Sequence, residues 1–359
     1  MKHEALVYCE NEFGEKDGKT ANGLVRKSDK YKIVGVIDSS KEGLDAGEYL
    51  DGKINGIPIF NSIDHAIENL KNTPTYFIYG IAPLIPFLNE KQRKVIFLAM
   101  ERGMNIINGL PEYFNDNPIY TDIAIRYGVT IQDVRKPPKL KKLHNFTGKI
   151  RDVKAPVVLI QGTDCAVGKR TTSLLLVDAL KKEGIKAVFV ATGQTGLMQG
   201  AKYGIAVDVL TSGYAAGEVE NAILNAYKKE NPEIIIVEGQ GALGHPAFTS
   251  SAAIIRGAMP DAIILQHSPY RNKYSDYINI PILSLEKEIE MIQIFSTSEV
   301  ISITINNEYM TNVELKKTIE NYELEFDIPT TDVLKYGCDK LKKVLFEKFP
   351  KLSKEVKLV

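Results

Sequence analysis

Tryptophan is absent from the 359 residues, cysteine occurs three times, and no net charge remains because 45 lysines and arginines face 45 aspartates and glutamates. Each shortage narrows the field. Without a surplus of one sign or a long basic stripe, a charged polymer such as nucleic acid is not the expected partner. Cys9, Cys165 and Cys338 stand alone, with no CxxC pair and no disulfide-like spacing, which fits reduced thiols in a reducing compartment and argues against a structural zinc. Long apolar runs are missing as well. The opening "MKHEALVYCENEFGEKDGK" turns polar after a handful of apolar positions, and nothing approaches the roughly 20 apolar residues of a membrane span. A soluble, cytoplasmic protein without a membrane partner is expected.

What is present is alternation. Short β-rich runs ("ALVYC", "YKIVGVID", "TYFIYGI", "MNIING") are separated by amphipathic stretches such as "SIDHAIENLK" and "EKQRKVIFLAMERG", the pattern of a parallel sheet with crossover helices. The basic, proline-flanked "KLKKLHNFTGKIRDVKAP" interrupts it. Beyond that stretch come "PVVLIQG", "KAVFVATG", "EIIIVEGQG", "DAIILQH", "IPILSL" and "VISITINN", apolar nearly throughout, as strands covered on both faces should be. The fold class is α/β, with residues 1–138 a Rossmann-like parallel-sheet domain, 139–155 a linker and 156–359 a P-loop NTPase-like doubly wound domain. The last segment, from "TDVLKYG" on, is expected to form an amphipathic helix with a basic tail.

The second half opens with "GTDCAVGKRTT", an apolar strand breaking into a glycine-bearing loop that leads into a helix. A turn of this kind needs no ligand, but the loop's N–H groups and the positive end of the next helix suit an anion. Gly162, Thr163, Asp164, Cys165, Ala166, Val167, Gly168, Lys169, Arg170, Thr171 and Thr172 are therefore expected to cradle phosphate, with Lys169 reaching the terminal groups. Five residues separate Gly162 from Gly168 where four are usual, and Arg170 stands where a metal-binding hydroxyl is usual. An arginine cannot ligate Mg²⁺ but grips phosphates and carboxylates; Thr171 or Thr172 is left to supply a hydroxyl.

Polar residues recur at the ends of the following strands, where such folds bind ligands. Glu238 closes "EIIIVE" as a metal ligand, a general base or an ion-paired acid. His245, in "GHPAF", is an acid, a base, a substrate ligand or an ordinary hydrogen-bonded histidine. Gln194 and Thr195 follow another strand, His267 and Arg271 a third, and these with Gln240 are expected to contact substrate, Arg271 through a carboxylate and Gln240 as an oxyanion donor. Asn306 and Asn307 stand where a nucleobase edge can be read. Glu218 and Glu220 read as solvated residues of a helix N-terminus. The first half has no GxGxxG; Gly18, Lys19 and Thr20 form a small anion-friendly turn, and Asp38 is placed for a ribose hydroxyl.

In this order, "GKTANGLVR", "VIDSSKEGLDAGEYL", "GIPIF", "DVRKPP", "GTDCAVGKRTT", "ATGQTGLM", "VEGQGALGHPA", "PDAIILQHSP" and "IPTTDVLKYG" resemble, over nearly the whole chain, a domain-of-unknown-function family with an N-terminal Rossmann-like and a C-terminal P-loop domain. One branch of it is described as D-glutamate N-acetyltransferase, acting with an enolase-superfamily racemase related to dipeptide epimerases. The resemblance implies an acyl-CoA-dependent N-acyltransferase using acetyl-CoA on a small, acidic amino acid. Lys169 and Arg170 would hold donor phosphates, and Glu238 or His245 would take the ammonium proton. The second half also resembles dethiobiotin synthetase, which implies the alternative of an ATP/Mg²⁺-dependent ligase or kinase activating a carboxylate, with Glu238 and Thr171 on the metal; the departure is Arg170, where that enzyme has threonine. A nucleotide- or CoA-sensing protein without turnover is a third possibility. A homo-oligomer is expected, as for most soluble enzymes.

Overall fold

The computed structural model describes residues 2–353, and among them the chain divides into two units, 2–137 with 194–200 and 138–193 with 201–353. No helix of the described residues is long and apolar enough to cross a membrane.

In the first unit, β1 (His3–Tyr8), β2 (Tyr31–Ile37), β3 (Ile59–Phe60), β4 (Tyr76–Tyr79), β5 (Asn105–Asn108) and β6 (Ile131–Asp133) form one sheet in the order 3-2-1-4-5-6. Every pairing is parallel, the Rossmann arrangement. Local signals set its helices. Asn89 and Gln92 make a reciprocal capping box at the start of Glu90–Glu101, while Pro118 opens Pro118–Tyr127 and Gly128 ends it at φ 67°.

Asp38 is fully buried and saturated, accepting from the Phe13 and Ser40 N–H groups, the Ser40 hydroxyl and Lys41. Those bonds hold its carboxyl below the usual range against the opposing cost of burial. The ribose role expected of Asp38 therefore gives way to a structural one: it pins the loops after β1 and β2. Thr20, from the small turn, points its hydroxyl at that of Thr195, 2.7 Å away in the helix Gln194–Gln199. In the same helix Gln199 donates to the carbonyls of Gly23 and Lys27.

In the second unit, β7 (Val157–Gly162), β8 (Ala187–Ala191), β9 (Tyr203–Gly204), β10 (Ile234–Glu238) and β11 (Ala262–His267) are followed by an antiparallel hairpin, β12 (Lys273–Tyr274) and β13 (Tyr277–Pro281), then by β14 (Val300–Ile305) and β15 (Thr330–Thr331). The main sheet runs 15-14-11-7-10-8-9, all parallel. β7, β10 and β11 are buried at every position, which is why they read as unbroken apolar runs. "IPILSL" is not a strand of this sheet: its first residues close the hairpin, and a helix starts at Leu285. At the end of the chain a helix spans Asp339–Lys348; the basic tail lies outside the described residues.

Two sequence expectations change here. Glu218 and Glu220 do not lie at a solvated helix end, because the helix begins at Ser212 and both are buried. Glu218 accepts from the His144 N–H at 2.6 Å, and Glu220 from the N–H groups of Thr147 and Ile150 and the Thr147 hydroxyl. The segment read as a linker is thereby bound into the second unit. Gly217 permits it, since a Cβ there would lie 2.2 Å from the His144 carbonyl oxygen. Glu220→Ala leaves the buried Ile150 N–H without its acceptor and removes both bonds to Thr147, and is expected to cost about 1–3 kcal/mol in urea unfolding.

Candidate functional site

β10 lies between β7 and β8, so the loop after β7 and the carboxylate at the end of β10 come to the same sheet edge. The loop needs two positive φ angles, 52° at Ala166 and 112° at Gly168, and then enters the helix Lys169–Lys182. The Thr163 N–H is bonded to the Gln266 carbonyl and that of Cys165 to Asp164 Oδ1; the remaining N–H groups of the loop form a nest at a helix N-terminus, which attracts anions.

Lys169 folds back into that nest. Its ammonium donates to the carbonyls of Asp164 at 2.6 Å and Gly241 at 2.9 Å, and burial pushes its pKa down despite the acidic groups around it. Gly162 makes room: a Cβ there would stand 2.8 Å from Lys169 Cδ. Behind the loop the Thr163 hydroxyl meets His267 Nδ1 at 2.8 Å. Burial pushes the His267 pKa down to about 4, so this ring is neutral at pH 7. The Thr172 hydroxyl donates to Gln266 at 2.5 Å and that of Ser173 to the Lys169 carbonyl at 2.9 Å.

Arg271 does not wait for a substrate carboxylate, as expected from its place after β11. Its guanidinium donates to Asp164 Oδ2 at 2.9 Å, to the Cys165 carbonyl at 2.6 Å and, through two nitrogens, to Glu308. Asp164 also accepts from the N–H groups of Cys165 and Ser275. Arg271 is thus the clamp of the loop. Asn306 donates its N–H to the His267 carbonyl and accepts from the Glu308 N–H, which places it in that clamp. Gln240 is likewise turned inward, donating its amide to the Thr192 carbonyl at 2.7 Å, a brace in place of the expected oxyanion donor. The structure assigns Gln194 and Thr195 to the first unit.

Glu238 is buried, and its Oε2 accepts from the N–H groups of Thr192 and Gly193. Burial raises its pKa; Arg170 is the charge that opposes this most, followed among the charges by Lys169.

The His245 ring is caged by Phe248 and Tyr274, each 4.6 Å away between ring centroids. Its Nδ1 accepts from the Ala247 and Phe248 N–H groups, at 3.2 and 3.3 Å. In the neutral ring that assignment places the proton on Nε2, and burial favours neutrality by lowering the pKa. Nε2 has no hydrogen-bond partner and stands 3.9 Å from Asp164 Oδ1. A ring in this state donates; the general-base role expected for His245 does not suit it. The same holds for metal binding. Asp164, Cys165 and His245 offer ligand atoms within 4.8 Å of one another, but an Nε2 that carries the proton has no lone pair for a cation.

Glu288 carries no sequence signal, since "SLEKEIE" reads as the start of an ordinary solvated helix. In the structure it is buried and accepts from the Leu243 and Gly244 N–H groups at 2.8 and 3.3 Å, holding the loop that carries His245. Burial pushes its carboxyl from 4.5 up to about 7. A raised acid pKa means stability that is complete below about pH 4.5 and is lost as pH rises through 7. At about 1.4 kcal/mol per pKa unit the loss is roughly 3 kcal/mol. Glu288→Gln is expected to flatten the stability profile between about pH 5 and 8 in urea unfolding, whereas wild type declines.

Residues 144–342 match the family described as "Domain of unknown function (DUF1611_C) P-loop domain", and residues 39–137 match "Domain of unknown function (DUF1611_N) Rossmann-like domain". The chain belongs to the DUF1611 family. A crystal structure of a DUF1611 family protein from Anabaena variabilis superposes with a TM-score of 0.88 at 29% identity, covering 96% of this chain and 100% of that one. A D-glutamate N-acetyltransferase from Pseudoalteromonas sp is 29% identical over 80% of this chain and 87% of its own length. Another protein of that name, from Tritonibacter scottomollicae, is 26% identical over 74% of this chain and 79% of its own.

Proposed function

We propose that this DUF1611 chain is an acyl-CoA-dependent N-acyltransferase that acetylates the amino group of a small acidic amino acid, with D-glutamate the first substrate to try. The observation that carries the reading is the similarity, through most of both chains, to two proteins named D-glutamate N-acetyltransferase. The nest suits the donor: the Lys169 ammonium and a helix N-terminus lie at its loop, and in this reading they and Arg170 hold phosphates of the donor.

That placement bears on Glu238. The pantetheine arm of a CoA thioester separates the acyl group from the phosphates, so a donor gripped in the nest presents its carbonyl elsewhere. Glu238 then sets the charge of the nest and does not take the ammonium proton. Removing a negative charge beside bound phosphate should tighten binding. Glu238→Gln is therefore expected to lower the KM for acetyl-CoA and not to reduce kcat by the roughly 10²–10⁴ that loss of a general base costs.

The direct test is CoA release from acetyl-CoA with D- and L-glutamate, D- and L-aspartate and glutamine as acceptors, and the N-acetyl product identified by mass spectrometry. CoA release that requires one of these amines supports the proposal. ADP release that depends on an amino acid, without acyl transfer, would replace it with the carboxylate-activating ligase, and binding without any product would favour a sensor.

A further inference from the structure

We propose that the nest is a metal-independent anion site in which the Arg170 guanidinium stands where a P-loop nucleotide enzyme holds a divalent cation, and that its ligand is a phosphate or diphosphate group presented without metal. This rests on the functional reading only for the choice of acetyl-CoA as the ligand.

A metal in a P-loop site takes a hydroxyl from the residue after the lysine and is completed by water, phosphate oxygens and an acid at the neighbouring strand end. Here that residue is Arg170, which offers donors and no acceptor. The nearby hydroxyls do not replace the missing ligand. Thr163 is engaged with His267, Thr172 with Gln266 and Ser173 with the Lys169 carbonyl. Thr171, one residue later, projects about 100° further round the helix.

The two carboxylates at the nest are occupied too. Asp164 is clamped by Arg271 and by the N–H groups of Cys165 and Ser275. Glu238 accepts two backbone N–H groups and has Arg170 and Lys169 as the cations acting on it. A divalent ion entering here would meet the positive charges of Lys169 and Arg170, the two cations that act on Glu238. An anion gains from an ammonium, a guanidinium and a helix N-terminus, while one carboxylate, Asp164, is already neutralised by Arg271 and the buried, unpartnered N–H of His245 stands 3.9 Å from it. The ammonium, the guanidinium and the helix N-terminus donate hydrogen bonds, and a phosphate has the oxygens to accept several of them.

The experiment is calorimetric titration of the full chain with acetyl-CoA, CoA, ADP, ATP and inorganic diphosphate, each in excess EDTA and in excess Mg²⁺, for wild type, Arg170→Lys and Arg170→Ser. Wild type is expected to bind at least one of these ligands with affinities in EDTA and Mg²⁺ that agree within about threefold. Arg170→Ser, which restores a hydroxyl, is expected to lose at least about tenfold in EDTA and to regain part of it with Mg²⁺. Arg170→Lys keeps a fixed charge and should stay metal-independent, so the prediction survives even if the serine variant does not fold, which circular dichroism would show. Wild-type binding that needs Mg²⁺ by tenfold or more, binding of none of the ligands, or undiminished binding by a folded Arg170→Ser in EDTA would each overturn the proposal. Metal-free binding with no acyl transfer to any amine would uphold it while defeating the acyltransferase reading.

Discussion

Lys169→Ala is expected to abolish the thermal stabilisation predicted for acetyl-CoA as the proposed donor and to lower kcat/KM by roughly 10- to 100-fold, the equivalent of a charged hydrogen bond worth about 1.5–3 kcal/mol. The lysine is buried, and its ammonium rests on two backbone carbonyls, those of Asp164 and Gly241. A phosphate arriving in the nest offers it a negatively charged partner in place of two neutral ones. The exchange has a signature in pH. Burial lowers the Lys169 pKa, and a bound anion raises it again, so binding takes up protons wherever the free lysine is partly deprotonated. Affinity then falls as pH rises through the lowered pKa. Calorimetry in two buffers of different ionisation enthalpy measures that uptake directly. A Lys169→Ala variant that binds acetyl-CoA like wild type would remove this lysine from the donor site.

Arg271→Met should be among the most destabilising single changes in the second unit. The guanidinium joins Asp164, which is fully buried, to Glu308 and the Cys165 carbonyl. Removing it strands a buried carboxylate, a loss of about 3–5 kcal/mol in urea unfolding. Arg271→Lys should recover only part of this, since one ammonium cannot reproduce a planar fork between two acids. Because Asp164 anchors the nest, Arg271→Met should also weaken acetyl-CoA binding under conditions where the variant is still folded. A stability loss below about 1 kcal/mol would instead place the network among solvated surface bridges.

These two residues show how differently sequence and structure speak. Lys169 was legible from its neighbours, because a phosphate nest is local: a strand, a glycine-bearing turn and a helix, all within one short stretch of chain. Arg271 was legible as a polar residue at a strand end, but not as the partner of Asp164, which lies 107 positions earlier in the chain. Nothing near it in sequence competes for the guanidinium, so sequence alone leaves it open to substrate. Glu308 and Ser275 carry no sequence signal for the same reason, and Glu288 none because a helical acid near a serine cap looks solvated until a loop is laid over it.

The two α/β halves, the parallel sheets and the place of the nest can be read from local sequence, since hydrophobic periodicity and turn chemistry act over a few residues. The family is legible too, through motifs spread along the whole chain. The folded chain alone reveals which polar groups are already satisfied. It showed Asp38, Gln240 and Arg271 committed to partners within the fold, Glu218 and Glu220 buried against the segment read as a linker, and His245 left with a donor and no acceptor. A side chain's chemistry is set by what occupies its hydrogen-bonding positions once it is buried, and those partners come from strands and loops that meet only when the sheet is assembled.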